Sequence, residues 1–205
     1  MTKVKICGLT NIEDVHVAVN AGADYLGFIF YEKSPRFAKP EFVAKAVREI
    51  PEHIKTVGVF VNSPKCLMTI YRKELKLDII QLHGDEQEAV VKYLEGEIWK
   101  AFPVRNHDDV VTASGFVADR VVIDSRTDDY YGGTGEVCDW LLAEKVARKR
   151  EIVLAGGLNP DNIVDAIVKV KPYGVDVCSG VEKSPGEKNH RAIYQLIENV
   201  RSVNL

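Results

Sequence analysis

The chain has 205 residues, 46% of them hydrophobic and 28% charged, which suits one globular domain, residues 1–205, large enough to bury its own core. The 27 basic residues against 30 acidic ones leave a net charge of -3 without a basic stripe, which argues against nucleic acid as a partner; no apolar run approaches the roughly 18 residues of a membrane span. The N-terminus enters a strand-like segment with no charged lead or apolar signal core, and Cys7, Cys66, Cys138 and Cys178 form no Cys-x-x-Cys pair, so a cytoplasmic protein with free thiols and no zinc site is expected.

Short β-branched runs alternate with helical stretches along the chain. Val4–Cys7 reads as the first strand, and the helix after it carries Ile12, Val15 and Val19 on one face, with Asn11 placed to cap it and Gly22 to end it. Tyr25–Phe30 is the second strand, followed by Ser34-Pro35-Arg36 and a helix that Pro40 opens. Thr56–Val61 is the third, and Ser63-Pro64 introduces a helix bearing Leu67, Ile70 and Tyr71. Asp78–His83 and Ile98–Phe102, the fourth and fifth strands, precede short, weakly periodic helices at Gln87–Leu94 and His107–Ala113. Arg120–Asp124 is the sixth strand; a glycine-rich segment separates it from a helix beginning near Asp139. Ile152–Ala155 is the seventh, and Asn159-Pro160 leads into Ile163, Ala166, Ile167 and Val170. Gly174–Ser179 is the eighth, before a last helix around Ala192–Val200. Each proline is expected just inside a helix start, where its missing N–H costs least.

This alternation predicts an α/β protein with a parallel sheet. Eight βα units in this length predict a (β/α)8 TIM barrel in preference to a doubly wound open sheet, since no topological switch is visible. In such a barrel the chemistry sits at the C-terminal ends of the strands. Two of those ends suggest a base and an acid. Cys7 closes the first strand beside Gly8 and the Asn11 helix start, whose N–H groups favour a thiolate; a buried, packing cysteine is the competing reading. Asp124 closes the sixth strand and needs a raised pKa to donate a proton, or else it merely orders the loop. His83, ending the fourth strand, is an alternative acid or base or an orienting group, and Asp176 is placed to meet a ligand hydroxyl if it faces inward. Cys66, Cys138 and Cys178 read as packing or loop residues.

Gly156 and Gly157 after the seventh strand, with Ser179 and Gly180 after the eighth, are expected to free backbone N–H groups for a phosphate; glycines that merely permit tight strand-to-helix turns are the competing reading. Arg36 is placed to clamp a carboxylate with two parallel hydrogen bonds, with a solvated surface arginine as the competing reading, and Asp128–Gly135 reads as a mobile cover or an ordinary loop.

Taken together, Lys5-Ile6-Cys7-Gly8-Leu9-Thr10, Gly27-Phe28-Ile29-Phe30, Ser34-Pro35-Arg36, Gly58-Val59-Phe60-Val61, Gln81-Leu82-His83-Gly84, Ala155-Gly156-Gly157-Leu158-Asn159-Pro160 and Val175-Asp176-Val177-Cys178-Ser179-Gly180-Val181-Glu182 closely resemble the phosphoribosylanthranilate isomerase family of tryptophan biosynthesis. The resemblance implies an Amadori rearrangement of a small phosphorylated substrate without cofactor or metal, in a monomer or homodimer. It implies that Asp124 is the acid and Cys7 the base, that Arg36 takes the anthranilate carboxylate, and that Gly156, Gly157, Ser179 and Gly180 take the phosphate. Asp176 would hold a ribose hydroxyl. Indoleglycerol phosphate synthases and histidine-pathway isomerases, which place other residues at the rim, and a non-catalytic phosphate-ligand sensor are the rival readings.

Overall fold

A computed structural model describes residues 1–124 and 139–203. Eight parallel strands pair in chain order and close on themselves: β1 Lys3–Cys7, β2 Tyr25–Ile29, β3 Lys55–Phe60, β4 Ile79–Leu82, β5 Glu97–Pro103, β6 Arg120–Asp124, β7 Ile152–Leu154 and β8 Gly174–Val177. Closure rules out the open doubly wound sheet. The helices are α1 Ile12–Ala21, α2 Pro40–Ala46, α3 Lys65–Glu74, α4 Glu88–Val91, α5 His107–Gly115, α6 Trp140–Ala147, α7 Ile163–Val170 and α8 His190–Ser202.

The caps follow the local chemistry. The Asn11 side chain accepts from the Asp14 N–H, and Gly22 leaves α1 through a left-handed conformation at φ 91°. Pro40 opens α2 as expected. The other two prolines sit further out. Pro64 is itself the residue before α3, and Pro160 lies in the turn before α7, which starts only at Ile163. A short ribbon pairing Glu182–Ser184 with Glu187–Lys188, not foreseen from the sequence, fills the span between β8 and α8. Cys138 and the Asp128–Gly135 segment lie outside the described residues.

Two apolar layers hold the barrel. The larger lies between strands and helices; Val4, Ile6, Leu26, Phe28, Ile80, Leu82, Ile123 and Val175 pack there against Val15, Met68, Ile167 and Leu196. The smaller fills the barrel itself with Tyr25, Val57, Ile79, Trp99, Ala101, Val122, Val153 and Ala155. One device recurs at the bottom of the barrel. An aspartate just ahead of one strand accepts from the first N–H groups of the strand before it: Asp24 from Val4 at 2.9 Å, Asp78 from Thr56 at 2.9 Å and Asp119 from Ile98 at 2.8 Å. Each bond satisfies a backbone donor at a strand start and helps fix the register of its pair. Register matters here because the upper ends of the strands carry the site.

Candidate active site

Side chains of a strand share a face at every second position. Lys5 and Cys7 on β1, Gln81 and His83 at the end of β4, Val122 and Asp124 on β6, and Asp176 and Cys178 at the end of β8 form four such pairs. Their second members stand at the rim.

On the β1–β8 side the Lys5 ammonium, fully buried, donates to Asp176 Oδ2 at 2.7 Å. Asp176 therefore faces inward rather than into solvent. Lys5 also meets the Cys7 sulfur through charge and a side-chain hydrogen bond. Burial works against the ammonium, yet Asp176 and Cys7 outweigh it and hold Lys5 well above the ordinary lysine pKa. Gly27 on β2 makes this packing possible: a Cβ there would lie 2.7 Å from Cys7 Sγ and 3.0 Å from Lys5 Cε.

Cys178, read from the sequence as a packing residue, belongs to the site. It hydrogen-bonds to Cys7; that bond first, and burial second, push the Cys7 thiol up, against the pull of Lys5. The same bond draws Cys178 down to about 7, opposed by burial and assisted by Lys188 and Arg36. The two sulfurs thus behave as one acid that releases its first proton near neutrality and holds its second tightly.

Arg36 is only 8% exposed, so it is no solvated surface residue. Its Nε donates to both Glu182 oxygens at 3.0 Å and its Nη2 to Oε2 at 2.8 Å, so the guanidinium expected to meet a ligand carboxylate already meets one of the chain's own. Lys188 Nζ, fully buried, donates to the same glutamate at 2.9 Å and to the Cys178 carbonyl at 3.1 Å. Burial opposes the Glu182 charge, but Arg36 and Lys188 keep its pKa below the usual range.

On the β4–β6 side Asp124 and His83 are both buried, with Asp124 Oδ2 3.0 Å from His83 Nε2. His83 Nδ1 lies 2.9 Å from Gln81 Nε2. His83 thus adjoins the candidate acid and orients it.

Between these two sides lie the turns after β7 and β8. Gly156 and Gly157 both have positive φ, 83° and 61°, a conformation that side chains resist. Asn162 braces their turn, its amide donating to the Gly157 carbonyl at 2.9 Å and its oxygen accepting from the Asn159 N–H at 2.9 Å. Gly180 sits in the helical turn Ser179–Val181, and a Cβ on it would fall 1.9 Å from the Leu158 carbonyl oxygen. The absence of a side chain at Gly180 lets the two turns touch. Among the described residues no group of three or more His, Cys, Asp or Glu side chains could hold a metal ion.

The sequence reading therefore places Cys7, Asp124, His83, Asp176 and Arg36, with Gly156, Gly157, Ser179 and Gly180, at one barrel end. It misses Lys5, Gln81, Cys178, Glu182 and Lys188. A signal for three of these was present: Lys5, Gln81 and Cys178 are polar or ionisable residues two positions from Cys7, His83 and Asp176, hence on the same strand face.

Fold and site together define a (β/α)8 barrel whose C-terminal rim gathers buried ionisable side chains, Cys7, Arg36, His83 and Asp124 among them. The family model describing N-(5'phosphoribosyl)anthranilate (PRA) isomerase matches residues 4–199. The N-(5'-phosphoribosyl)anthranilate isomerase of Citrifermentans bemidjiense is 43% identical over all of both chains. The crystal structure of phosphoribosyl anthranilate isomerase from Thermotoga maritima superposes with a TM-score of 0.93 at 37% identity, covering 99% of this chain and all of that one. A phosphoribosyl anthranilate isomerase solved in complex with reduced 1-(o-carboxyphenylamino)-1-deoxyribulose 5-phosphate gives 0.89 at 35% identity, with the same coverage. The chain belongs to the phosphoribosylanthranilate isomerase family, and it is an isomerase of tryptophan biosynthesis.

Proposed function

We propose that Asp124 and Cys7 are the acid and base of an Amadori rearrangement that converts N-(5-phosphoribosyl)anthranilate into 1-(2-carboxyphenylamino)-1-deoxyribulose 5-phosphate. The observation that carries this reading is the family match over residues 4–199, with a thiol and a carboxyl facing inward at the rim. Asp124 protonates the ribose ring oxygen, and the ring opens to an iminium. Cys7 then removes the C2 proton, and the resulting enolamine tautomerises to the ketone. Proton transfers account for every bond change, so the scheme calls for no cofactor or metal.

The phosphate is held by the turns containing Gly156, Gly157, Ser179 and Gly180, and Arg36 takes the anthranilate carboxylate along the part of its guanidinium not engaged by Glu182. Asp176 Oδ1 is buried without a hydrogen-bond partner, which supports a role in accepting from a ribose hydroxyl. Cys7 becomes a base by passing its proton to the Cys178 thiolate across their shared hydrogen bond, while Lys5 stabilises the charge that arrives on Cys7. Among the described residues no helix is long and apolar enough to cross a membrane, in keeping with an enzyme that meets its substrate in the cytoplasm.

The direct test is to mix the purified protein with phosphoribosylanthranilate and follow its anthranilate-type fluorescence. Rapid enzyme-dependent loss is expected, and no loss removes the proposal. Two further results follow. Because the first sulfur proton leaves at about 7, kcat/KM should fall tenfold per unit as pH drops below that point; a profile flat down to about pH 5 would separate the thiols from the rate. Gly180→Ala should raise KM for the phosphorylated substrate by about tenfold, since its Cβ pushes the two turns apart, while kcat changes less. An unchanged KM would place the phosphate elsewhere.

A further inference from the structure

Cys7 and Cys178 stand side by side on adjoining strands. Lys5 pairs with Asp176 and Ile6 with Val177 across β1 and β8, so the next step of the same register sets Cys7 opposite Cys178. Both continue the inward-facing positions of Lys5 and Asp176, and a side-chain hydrogen bond joins their sulfurs. We infer that this pair is an oxidative modification site: a peroxide converts Cys178 to a sulfenic acid, and Cys7 then closes a disulfide with it that switches the isomerase off. That the bond stops turnover rests on the reading of Cys7 as the base; its formation does not.

The geometry favours a bond. Backbones of neighbouring strands lie about 4.8 Å apart, inside the roughly 4.4–6.8 Å between Cα atoms that a disulfide spans. The hydrogen bond leaves no side chain between the sulfurs, and glycines give them room. A Cβ on Gly8 would fall 2.8 Å from Cys178 Sγ, and one on Gly27 would fall 2.7 Å from Cys7 Sγ.

The surrounding charges select which sulfur reacts first. Lys188 Nζ lies 3.9 Å from Cys178 Sγ, and Arg36 packs on the same side of Gly8, its Cδ 3.0 Å from where a Cβ there would stand. Glu182 Oε1, 4.0 Å from the Cys178 sulfur, opposes them, but it is itself bonded to both cations. With the hydrogen bond from Cys7 first and these cations after it, Cys178 is held at about 7 and carries a large thiolate fraction at neutral pH. Cys7 keeps its proton, since the same hydrogen bond and burial outweigh Lys5. Exposure points the same way, because Cys178 is half-buried and Cys7 buried.

The electrons balance with a peroxide as the oxidant. The Cys178 thiolate attacks one peroxide oxygen; an S–O bond forms, the O–O bond breaks, hydroxide leaves, and the sulfur is oxidised by two electrons. The Cys7 sulfur then attacks the sulfenic sulfur. The S–S bond forms, the S–O bond breaks, and the departing hydroxide takes the Cys7 proton and leaves as water. A dithiol reverses the reaction by exchange, closing to its own disulfide and returning both cysteines as thiols. In a reducing compartment such a bond lasts only as long as the oxidant, which is how a sensor behaves.

The experiment treats the whole native protein with a small molar excess of hydrogen peroxide at neutral pH, alkylates the remaining thiols and maps the peptides by mass spectrometry. Isomerase activity is followed on the same samples. A linked pair of peptides carrying Cys7 and Cys178 is expected before exposed Cys66 is oxidised, with activity lost in proportion to the linked fraction and restored by dithiothreitol. Cys7→Ser removes the thiol that closes the bond, so in that variant dimedone, which traps sulfenic acids, should label Cys178.

Oxidation of Cys66 with no link between Cys7 and Cys178, or a link from either to another cysteine, overturns the inference; this readout needs no variant to fold. An unlabelled Cys178 in Cys7→Ser overturns the order of the two steps. Full turnover by the linked protein would overturn the switch and remove Cys7 as the base, while the modification site would stand on the mass spectrum alone.

Discussion

Cys7→Ser should lower turnover by at least about 10³-fold while leaving affinity for a phosphorylated product analogue within a few fold. A serine hydroxyl retains the shape of the site; it fits beside Gly27, and it can still meet Lys5 and Cys178. It cannot become an anion near neutrality. Lys5 and the shared proton of the sulfur pair suffice for a thiol, whose ordinary pKa is about 8.5, but not for an alcohol. The loss should therefore appear in kcat, because the missing interaction exists only when the C2 proton is in flight. Stopped-flow fluorescence at saturating substrate, with calorimetric binding of the reduced product analogue, separates the two quantities; equal loss in both would make Cys7 a packing residue.

Asp124→Asn should reduce kcat by about 10²- to 10⁴-fold, the usual worth of a placed general acid, or roughly 3 to 5 kcal/mol of barrier at 1.36 kcal/mol per factor of ten. Asparagine is nearly isosteric and keeps a hydrogen bond to His83, so folding should be spared. What it lacks is a proton to give to the ring oxygen, and ring opening precedes every later step. The same fluorescence decay reads this effect. A substrate analogue already in the open-chain form would bypass the defect, so recovery of rate with it would confirm that the lost step is ring opening.

Much of the barrel could be read from the chain because its strands are short β-branched runs and its helices carry their own stops, such as Asn11 and Gly22 around α1. Strand positions came within about two residues because an apolar run marks a buried strand wherever its neighbours lie. Helices α4 and α5 were harder to delimit. Gln87–Leu94 shrinks to Glu88–Val91, since too few apolar residues recur there to extend it, whereas α5 runs on to Gly115. The prolines at 64 and 160 misled because proline suits the turn before a helix as well as its first position.

Rim chemistry was legible where a polar residue ended an apolar run, as Cys7 and Asp124 do. It was obscure where function depends on pairing. Nothing local in the sequence says that Arg36 is held by Glu182, 146 positions later, or that Lys188 returns to Cys178 through a two-strand ribbon. Those contacts exist only once the barrel has closed. Cys178 is obscure for the same reason: alone it is one more small apolar side chain, and only the adjacency of β1 and β8 makes it the partner of Cys7.

The central claim is that one sulfur and one carboxyl act in sequence on a single pentose. Single-turnover fluorescence decay of phosphoribosylanthranilate by the wild-type protein and by the Cys7→Ser/Asp124→Asn double variant tests it most directly. Rapid decay with the wild type is expected, together with a double variant little slower than the slower single one, because losses within one reaction sequence do not add. A wild-type protein that leaves the fluorescence intact, or a double variant within tenfold of the wild-type rate, would contradict the account.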